Sequence, residues 1–332
     1  MVASLDLRHR VTGGLPLLAV ALGLAVTPVL FGWTIAGEVL VFAVFAVGYN
    51  LLLGYGGELS FGHAAFFGVG AYGTLLFTQH VVQNLYLGII AGTIIAALTS
   101  VVIGVISLRR RGIYFAMITL ALAQIVYYVV FQWKDVTGGL NGLSLPLFDA
   151  SLGPIDPATG GADFFVFGFL VLVLVWFAVR RVVRSPFGRT LTAIRENEAR
   201  ARHLGYDVNR FLFGSFVISG AISGVAGGLY ATLYGFVTPD ILFWLISGEV
   251  VLITLLGGIG TLGGPVVGAL VFLSLQELLT EHATDDWRLV FGAVIMLVVL
   301  FAPRGVYGLY ESARESEDAG FGIHALLDRF TG

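Results

Sequence analysis

Long apolar stretches, separated by short polar ones, run through most of the 332-residue chain. Many approach the length of about 20 residues that an α-helix needs to cross a bilayer. Ten such stretches can be marked, near residues 15–33, 35–53, 64–78, 87–107, 113–133, 164–183, 212–234, 245–257, 265–281 and 287–303. The pattern predicts an all-α fold, a polytopic transmembrane helical bundle of about eight to ten spans.

The span number is a range because two stretches, 64–78 and 245–257, are too short to cross a bilayer as straight helices. Such segments are tilted into their neighbours, broken or re-entrant. The remaining stretches are read as full crossings.

Arginine placement predicts the orientation, because cytoplasmic loops retain positive charge. Arginines precede the first stretch, follow the fourth, fill the gap between the sixth and seventh, and follow the last. The loop 134–163 instead carries four aspartates against a single basic residue, Lys134. Ten crossings put every arginine cluster on one side, so both termini are expected in the cytoplasm. Residues 1–310 then form a transmembrane domain, and residues 311–332 form an acidic cytoplasmic tail.

Composition agrees with this reading and removes other classes of protein. Apolar residues make up 57% of the chain and charged residues 12%, against about 45–50% and 25% in a soluble domain. This balance excludes a soluble enzyme, a nucleic-acid binder and a disordered chain, and it makes membrane lipid a partner. The chain has no cysteine, and none of its six histidines forms a metal-spaced pair, so neither a metal site nor a cofactor is expected.

One segment, 185–211, is too polar to cross a membrane, yet it has the start and stop signals of a helix. Ser185 suits an N-cap, Pro186 the first helical position, and Gly205 the end. Apolar residues recur at helical spacing and make a narrow stripe: Phe187, Leu191, Ile194, Ala201 and Leu204. Two interpretations stay open. The helix lies on the membrane surface with its arginines at lipid phosphates, or it is a rigid docking helix that presents its charges and apolar ridge to a soluble partner.

Two glycine-rich stretches look like copies of each other. IAGEV at 35–39 leads to LLGYGGELSFG at 52–62, and ISGEV at 246–250 leads to LLGGIGTLGGP at 255–265. The likeness predicts two related halves, as in transporters built from repeats. Two strings, 68–73 and 258–263, match Gly-x-Gly-x-x-Gly, but both lie among spans without the βαβ unit that a dinucleotide site requires.

The spans hold almost no ionisable group at mid-membrane depth, although carriers driven by protons or sodium usually need one. The polar candidates in or beside the apolar stretches are Asn50, Ser60, His63, Gln124, Tyr127 and Tyr128, and an interhelical hydrogen bond is the commoner role of such residues. A phosphate-binding loop requires a lysine, and the only lysine is Lys134 in an expected outer loop. If ATP supplies the energy, its hydrolysis belongs to another polypeptide.

Several motifs together resemble the branched-chain amino-acid ABC transporter permeases, of the Liv M type. The motifs are GELSFGHAAFFGVGAY (57–72), TGGLNGL (137–143), SPFGRTLTAIRENEARARHLGYDV (185–208), VISGAISGVAGGLYA (217–231), LLGGIGTLGGPVVGA (255–269) and LFAPRGVYGL (300–309). The similarity extends over about residues 35 to 310. It implies an ABC importer permease in a prokaryotic plasma membrane, with no catalytic site of its own.

The resemblance also implies partners and functional positions. The expected partners are a homologous second permease subunit, two cytoplasmic ATP-binding subunits that carry ATP and magnesium, and an external solute-binding protein. By motif position, the core that couples segment 185–211 to the ATPase comprises Arg195, Glu196, Asn197 and Gly205. The candidates for gating or pathway lining in the first bend are Gly57, Ser60, Phe61, Gly62 and His63.

The implied cargo is leucine, isoleucine and valine. Permeases for urea and short amides share these motifs and remain an alternative. An ion-coupled secondary carrier, a channel and a membrane-embedded enzyme are further alternatives. Collapse of ion gradients at constant ATP would identify the carrier, and conduction without nucleotide would identify the channel. The enzyme is disfavoured because the spans contain no paired carboxylates, HExxH motif or nucleophile elbow.

Overall fold

The computed structural model describes residues 14–145, 156–282, 289–293, 296–297 and 305. Within them the chain is almost entirely helical. The α-helices are α1 (Gly14–Asn50), α2 (His63–His80), α3 (Leu85–Ser107), α4 (Ile113–Gln132), α5 (Lys134–Thr137), α6 (Gly161–Arg184), α7 (Pro186–Glu196), α8 (Glu198–His203), α9 (Val208–Tyr234), α10 (Trp244–Gly257) and α11 (Gly264–His282). This confirms the predicted all-α polytopic bundle.

Shorter elements connect these helices. A π-helical turn, Leu51–Gly56, continues α1, and 3₁₀ turns occupy Gly139–Asn141, Pro157–Thr159 and Pro239–Leu242. The strands β1 (Leu143–Ser144) and β2 (Phe236–Val237) form a two-stranded antiparallel pair in which Leu143 faces Val237. The pair joins the loop after α4 to the loop after α9.

Six described helical runs are long and apolar enough to cross a membrane. They are Gly23–Gly56, Leu85–Ser107, Ile113–Gln132, Gly161–Arg184, Val208–Tyr234 and Gly264–Glu281. The two stretches that the sequence marked as short are α2, with 18 residues, and α10, with 14. The tenth stretch, 287–303, lies largely outside the described residues, as does the tail 311–332.

The first two apolar stretches form one helical run that is divided at Gly32. This glycine has φ 82° and ψ 169°, which is not helical, and such a φ suits glycine because it has no Cβ. Gly23, on the N-terminal side of the break, packs against Leu270 of α11. The sequence analysis treats 15–33 and 35–53 as two separate crossings, whereas the structure has one helical run with a break at Gly32, and Gly23–Gly56 is a single candidate span.

Glycine allows α2, α3 and α9 to pack with their backbones nearly in contact. A Cβ on Gly70 of α2 would lie 2.5 Å from Cα of Gly224 in α9, and one on Gly73 would lie 3.0 Å from Cα of Gly92 in α3. Most of α2 is therefore buried at the centre of the bundle. Close approach through small residues is typical of helices that associate in membranes.

The α2–α9 contact gives a stability prediction. A Cβ at Gly227 would lie 1.8 Å from the carbonyl oxygen of Phe67, whereas one at Gly248 in α10 would meet nothing within 4 Å. We expect Gly227→Ala to lower the free energy of unfolding in detergent by about 1–3 kcal/mol, because the helices must separate. Gly248→Ala serves as the control and should be neutral or slightly stabilising. Equal denaturant midpoints for the two variants would contradict this packing.

Candidate functional site

The polar segment predicted at 185–211 is helical and begins as its sequence indicates. The Ser185 hydroxyl oxygen accepts a hydrogen bond from the Gly188 amide at 3.4 Å, and Pro186 is the first residue of α7. An N-cap serine followed by proline satisfies a free amide and sets the first helical φ. At the other end, Gly205 has φ 87° and follows the end of α8.

The prediction of one continuous rod is wrong, because the segment is two helices. Asn197 lies between α7 and α8 with φ −159° and ψ 95°, and its side chain accepts a hydrogen bond from the Arg200 amide at 2.9 Å. Asparagine is a strong N-cap, and Glu198 in the following first turn suits a helix start. The signal was present in the sequence as Asn197-Glu198.

The apolar stripe of this segment faces its own bundle. Leu191, Ile194 and Ala201 are buried and pack in a cluster with Leu51 and Leu52. A partner cannot dock on these three residues, so the expectation of an exposed apolar ridge is wrong for most of its length. Of the predicted stripe, Leu204 is open to the surroundings, with 71% of its surface exposed. The outward face carries charge instead, with Arg189, Glu196 and Arg200 exposed among others.

Arg195 is exposed on α7, and its guanidinium reaches the first glycine-rich bend. Its Nη1 donates a hydrogen bond to the carbonyl oxygen of Gly54. Gly57, with φ 77°, lies beneath the same side chain, since a Cβ there would be 2.9 Å from Arg195 Cγ. Glycine at this position therefore satisfies both the backbone turn and the close approach of the arginine.

The second glycine-rich bend, residues 258–263, lies beside the first. The Asn50 amide group accepts a hydrogen bond from the Gly260 N–H at 2.9 Å and donates one to the Thr261 carbonyl at 2.8 Å. The indole N–H of Trp176, in α6, donates to the Leu262 carbonyl at 3.1 Å. Helices α1, α6 and α7 therefore contact the two bends through Asn50, Trp176 and Arg195, at one end of the bundle.

An ionic cluster closes the same end. Arg111 Nε lies 3.7 Å from Glu58 Oε1 and 3.6 Å from Glu198 Oε1, and Arg202 Nη2 lies 2.6 Å from the same oxygen of Glu198. Arg111 also donates to the Asn209 side chain. The arginine cluster after α3 and the segment between α6 and α9 thus share one end of the molecule.

Burial raises the pKa of the Glu58 carboxyl above its ordinary value of 4.5. The charge of Arg111 and a hydrogen bond from the Gly112 amide lower the pKa in part, while the neighbouring Glu198 raises it further. The Glu58 carboxyl outside the spans is therefore in a less polar setting than an exposed glutamate.

Four of the five predicted gating candidates surround the start of α2. His63 is fully buried, with Nδ1 3.0 Å from Ser60 Oγ and Nε2 2.8 Å from Ser219 Oγ of α9. The Phe61 amide donates to Thr119 Oγ1 of α4 at 3.2 Å, and the Gly62 amide to Ser60 Oγ at 3.2 Å. These bonds fix the start of α2 against α4 and α9. Gly57, the fifth candidate, lies on the other side of the bend under Arg195.

A cleft of about 390 Å³ lies between the polar segment and the bends, beside the Arg195 contact. Its apolar walls include Leu53, Ile194 and Ile259. Its polar rim combines residues from both sides: Glu58, Arg195, Glu196, Asn197 and Glu198. Three predicted coupling residues therefore border one space, whereas Gly205 lies beyond α8 with nothing within 4 Å of a Cβ built on it.

Sequence reasoning missed how the two bends meet. Asn50 was marked as a polar candidate without a partner, and Gly260 was treated as one glycine among many. The usable signal was the repeated string LLGxxG, which places Gly57 and Gly260 at corresponding positions. Among the described residues, no group of three or more His, Cys, Asp or Glu side chains could hold a metal ion.

Comparison with known proteins assigns this arrangement to a family. The family model described as the permease component of branched-chain amino acid transport systems matches residues 33–300. The chain is 28% identical over 293 residues to the high-affinity branched-chain amino acid transport system permease protein LivM of Escherichia coli (strain K12), which covers 82% of this chain and 69% of the relative. No solved structure matches the chain.

Two further relatives are similar to the chain at lower identity. A probable branched-chain amino acid transport permease protein LivM of Methanocaldococcus jannaschii is 25% identical over 319 residues, covering 79% of this chain and 89% of the relative. The corresponding permease protein LivH of Escherichia coli (strain K12) is 25% identical over 292 residues, covering 80% and 91%. The chain is thus similar to both kinds of permease named in these systems.

The raised pKa of Glu58 gives a prediction about pH. The folded protein holds this proton more tightly than the unfolded chain, so this contribution to stability is present below pH 4.5 and is lost as pH rises through the raised pKa. In Glu58→Gln the contribution is missing. We therefore expect a flatter dependence of unfolding free energy on pH in that window, measured by denaturant titration in detergent. Identical slopes for the two proteins would contradict the assignment.

Proposed function

The chain belongs to the family of permease components of branched-chain amino acid transport systems, and we propose that it is the membrane-spanning subunit of an ATP-driven importer of leucine, isoleucine and valine. The family match over residues 33–300 carries this proposal. A permease of this family is a multi-pass membrane protein and a transport subunit, not an enzyme, and six long apolar helices agree with that role.

Segment 185–211 is, in this proposal, the cytoplasmic attachment point of the ATP-binding subunits. Its charged face is exposed, and its apolar face is anchored to the bundle. A surface of mixed charge suits a protein partner better than anionic lipid, which would favour arginine and lysine alone. Glu196 and Asn197 are exposed and, in this proposal, face the partner. Arg195 contacts the first bend.

The same segment joins two spans directly, which supports a mechanical role. One residue, Ser185, separates α6 from α7, and four residues, 204–207, separate α8 from α9. A displacement of α7 and α8 by the ATPase subunits would therefore tilt α6 and α9. Alternating exposure of a pathway between two permease subunits would follow from such rocking.

The partners proposed for this chain follow from its two kinds of relative. Similarity to both LivM and LivH proteins supports a homologous second permease subunit. Two ATP-binding subunits on the cytoplasmic face and an external solute-binding protein complete the proposed importer. Recognition of the apolar side chain of the solute is assigned mainly to the binding protein, because the spans offer few fixed charges.

Accessibility labelling tests the proposed orientation. The chain has no cysteine, so single cysteines report without background. Leu204 and Leu140 are matched reporters, 71% and 72% exposed, in loops at opposite ends of the bundle. We expect a membrane-impermeant maleimide to label Leu140→Cys in intact cells, and Leu204→Cys only after permeabilisation. The reverse order would overturn the cytoplasmic assignment of segment 185–211.

Charge reversal tests the proposed docking surface and the cargo together. Glu196→Arg should reduce ATP-dependent uptake of leucine at least about fivefold, the lower end of measured coupling between sites, while membrane insertion stays normal. Glu196→Asp keeps the charge and should retain most uptake. Uptake by Glu196→Arg equal to that of the native chain would contradict docking at this face. Uptake of urea but not leucine by the native complex would favour the alternative cargo.

A further inference from the structure

The two glycine-rich bends have similar sequences and share one left-handed glycine. When LLGYGG (52–57) is aligned with LLGGIG (255–260), Gly57 falls on Gly260, and their φ angles are 77° and 76°. Residues other than glycine rarely adopt such angles. The matching glycines occupy corresponding positions in the two related stretches, and each bend lies just before a helix, α2 or α11.

A single buried side chain fastens the second bend to the first half. Asn50 is 2% exposed and uses both ends of its amide, as acceptor for the Gly260 N–H and as donor to the Thr261 carbonyl. The first bend comes so close that a Cβ on Gly54 would lie 2.6 Å from the Gly260 nitrogen. Both bonds go to the backbone, so they hold the turn itself and not a particular side chain.

Arg195 connects the polar segment to both bends. Its guanidinium donates to the Gly54 carbonyl in the first bend, and a Cβ on Gly260 in the second bend would lie 2.7 Å from its Nη1. Its aliphatic part covers Gly57. One side chain from α7 therefore lies against both left-handed glycines.

We propose that Asn50 and Arg195 join the two bends to each other and to α7, so that displacement of α7 moves both bends as one body. The inference rests on the proposed coupling role of the polar segment and adds the route by which its movement reaches the bends. The starts of α2 and α11, one from each half, follow the segment together. Arg195 and Asn50 are thus positioning residues, and neither is required to touch the solute or ATP.

The test separates this role from simple structural support. Asn50→Leu keeps the side-chain size, removes both bonds, and is buried away from any docking surface. Arg195→Leu removes the bond to Gly54, and Arg195→Lys keeps a donor. Thr232→Val is the matched control, because the buried Thr232 hydroxyl bonds only within its own helix, to the Gly228 carbonyl at 2.8 Å.

Each variant is assembled with its second permease, ATP-binding subunits and binding protein in proteoliposomes, and leucine uptake is measured per ATP hydrolysed. We expect Asn50→Leu and Arg195→Leu to lower this ratio at least about fivefold while ATP hydrolysis continues. Arg195→Lys should recover part of the ratio, and Thr232→Val should match the native chain. A ratio unchanged in both leucine variants would overturn the proposal.

Spin labels measure the joint movement directly. In the cysteine-free chain, Arg189→Cys on α7 and Ile259→Cys in the second bend report the distance between the two elements. With Asn50 and Arg195 present, we expect the same narrow distance distribution without nucleotide and with ATP trapped, and a broadened distribution in either leucine variant. A nucleotide-dependent distance with both side chains present would overturn the joint. If the native complex imports leucine without ATP, the proposed function fails. If import is ATP-driven and both Asn50→Leu and Arg195→Leu behave like the native chain, the proposed joint alone fails.

Discussion

The hydrogen bond from Arg195 to the Gly54 carbonyl is the contact on which this end of the molecule depends. It links a charged, exposed segment to backbone at the edge of the membrane-spanning bundle. The contact is possible because glycine at 57 and 260 leaves room for the arginine. The proposed docking surface and the two bends therefore meet around one side chain.

The bundle beneath this contact is tightly packed, as the proposed transmission of movement requires. Glycines bring α2, α3 and α9 almost into backbone contact, and the hydroxyl–imidazole bonds of Ser60, His63 and Ser219 fix the start of α2 against α9. Close-packed interiors transmit displacement because they leave little empty space to absorb it. In the proposed mechanism, a shift at the polar segment reaches the spans through α9 and through both bends.

Much of this architecture follows from the sequence, and the exceptions have physical causes. Hydrophobic length placed helices under nine of the ten apolar stretches, but the described residues contain six helical runs long enough to cross a membrane. Ser185 and Pro186 located the start of α7. The break at Asn197 was missed because helical periodicity continues across it and only the N-cap preference marks it. The inward turn of the apolar stripe and the Asn50 bonds to 260 and 261 are long-range contacts. No local pattern encodes which distant backbone an asparagine meets, although the repeated LLGxxG string indicated that the bends correspond.

Hydrogen–deuterium exchange on the assembled complex tests the central claim most directly. The claim is that the segment between α6 and α9 receives the ATP-binding subunits and passes their movement to both bends. Adding those subunits to the permease should slow exchange in α7 and α8, and ATP should then change exchange in 51–62 and 258–263 together. Unchanged exchange in α7 and α8 on assembly, or an ATP response confined to one bend, would contradict the account.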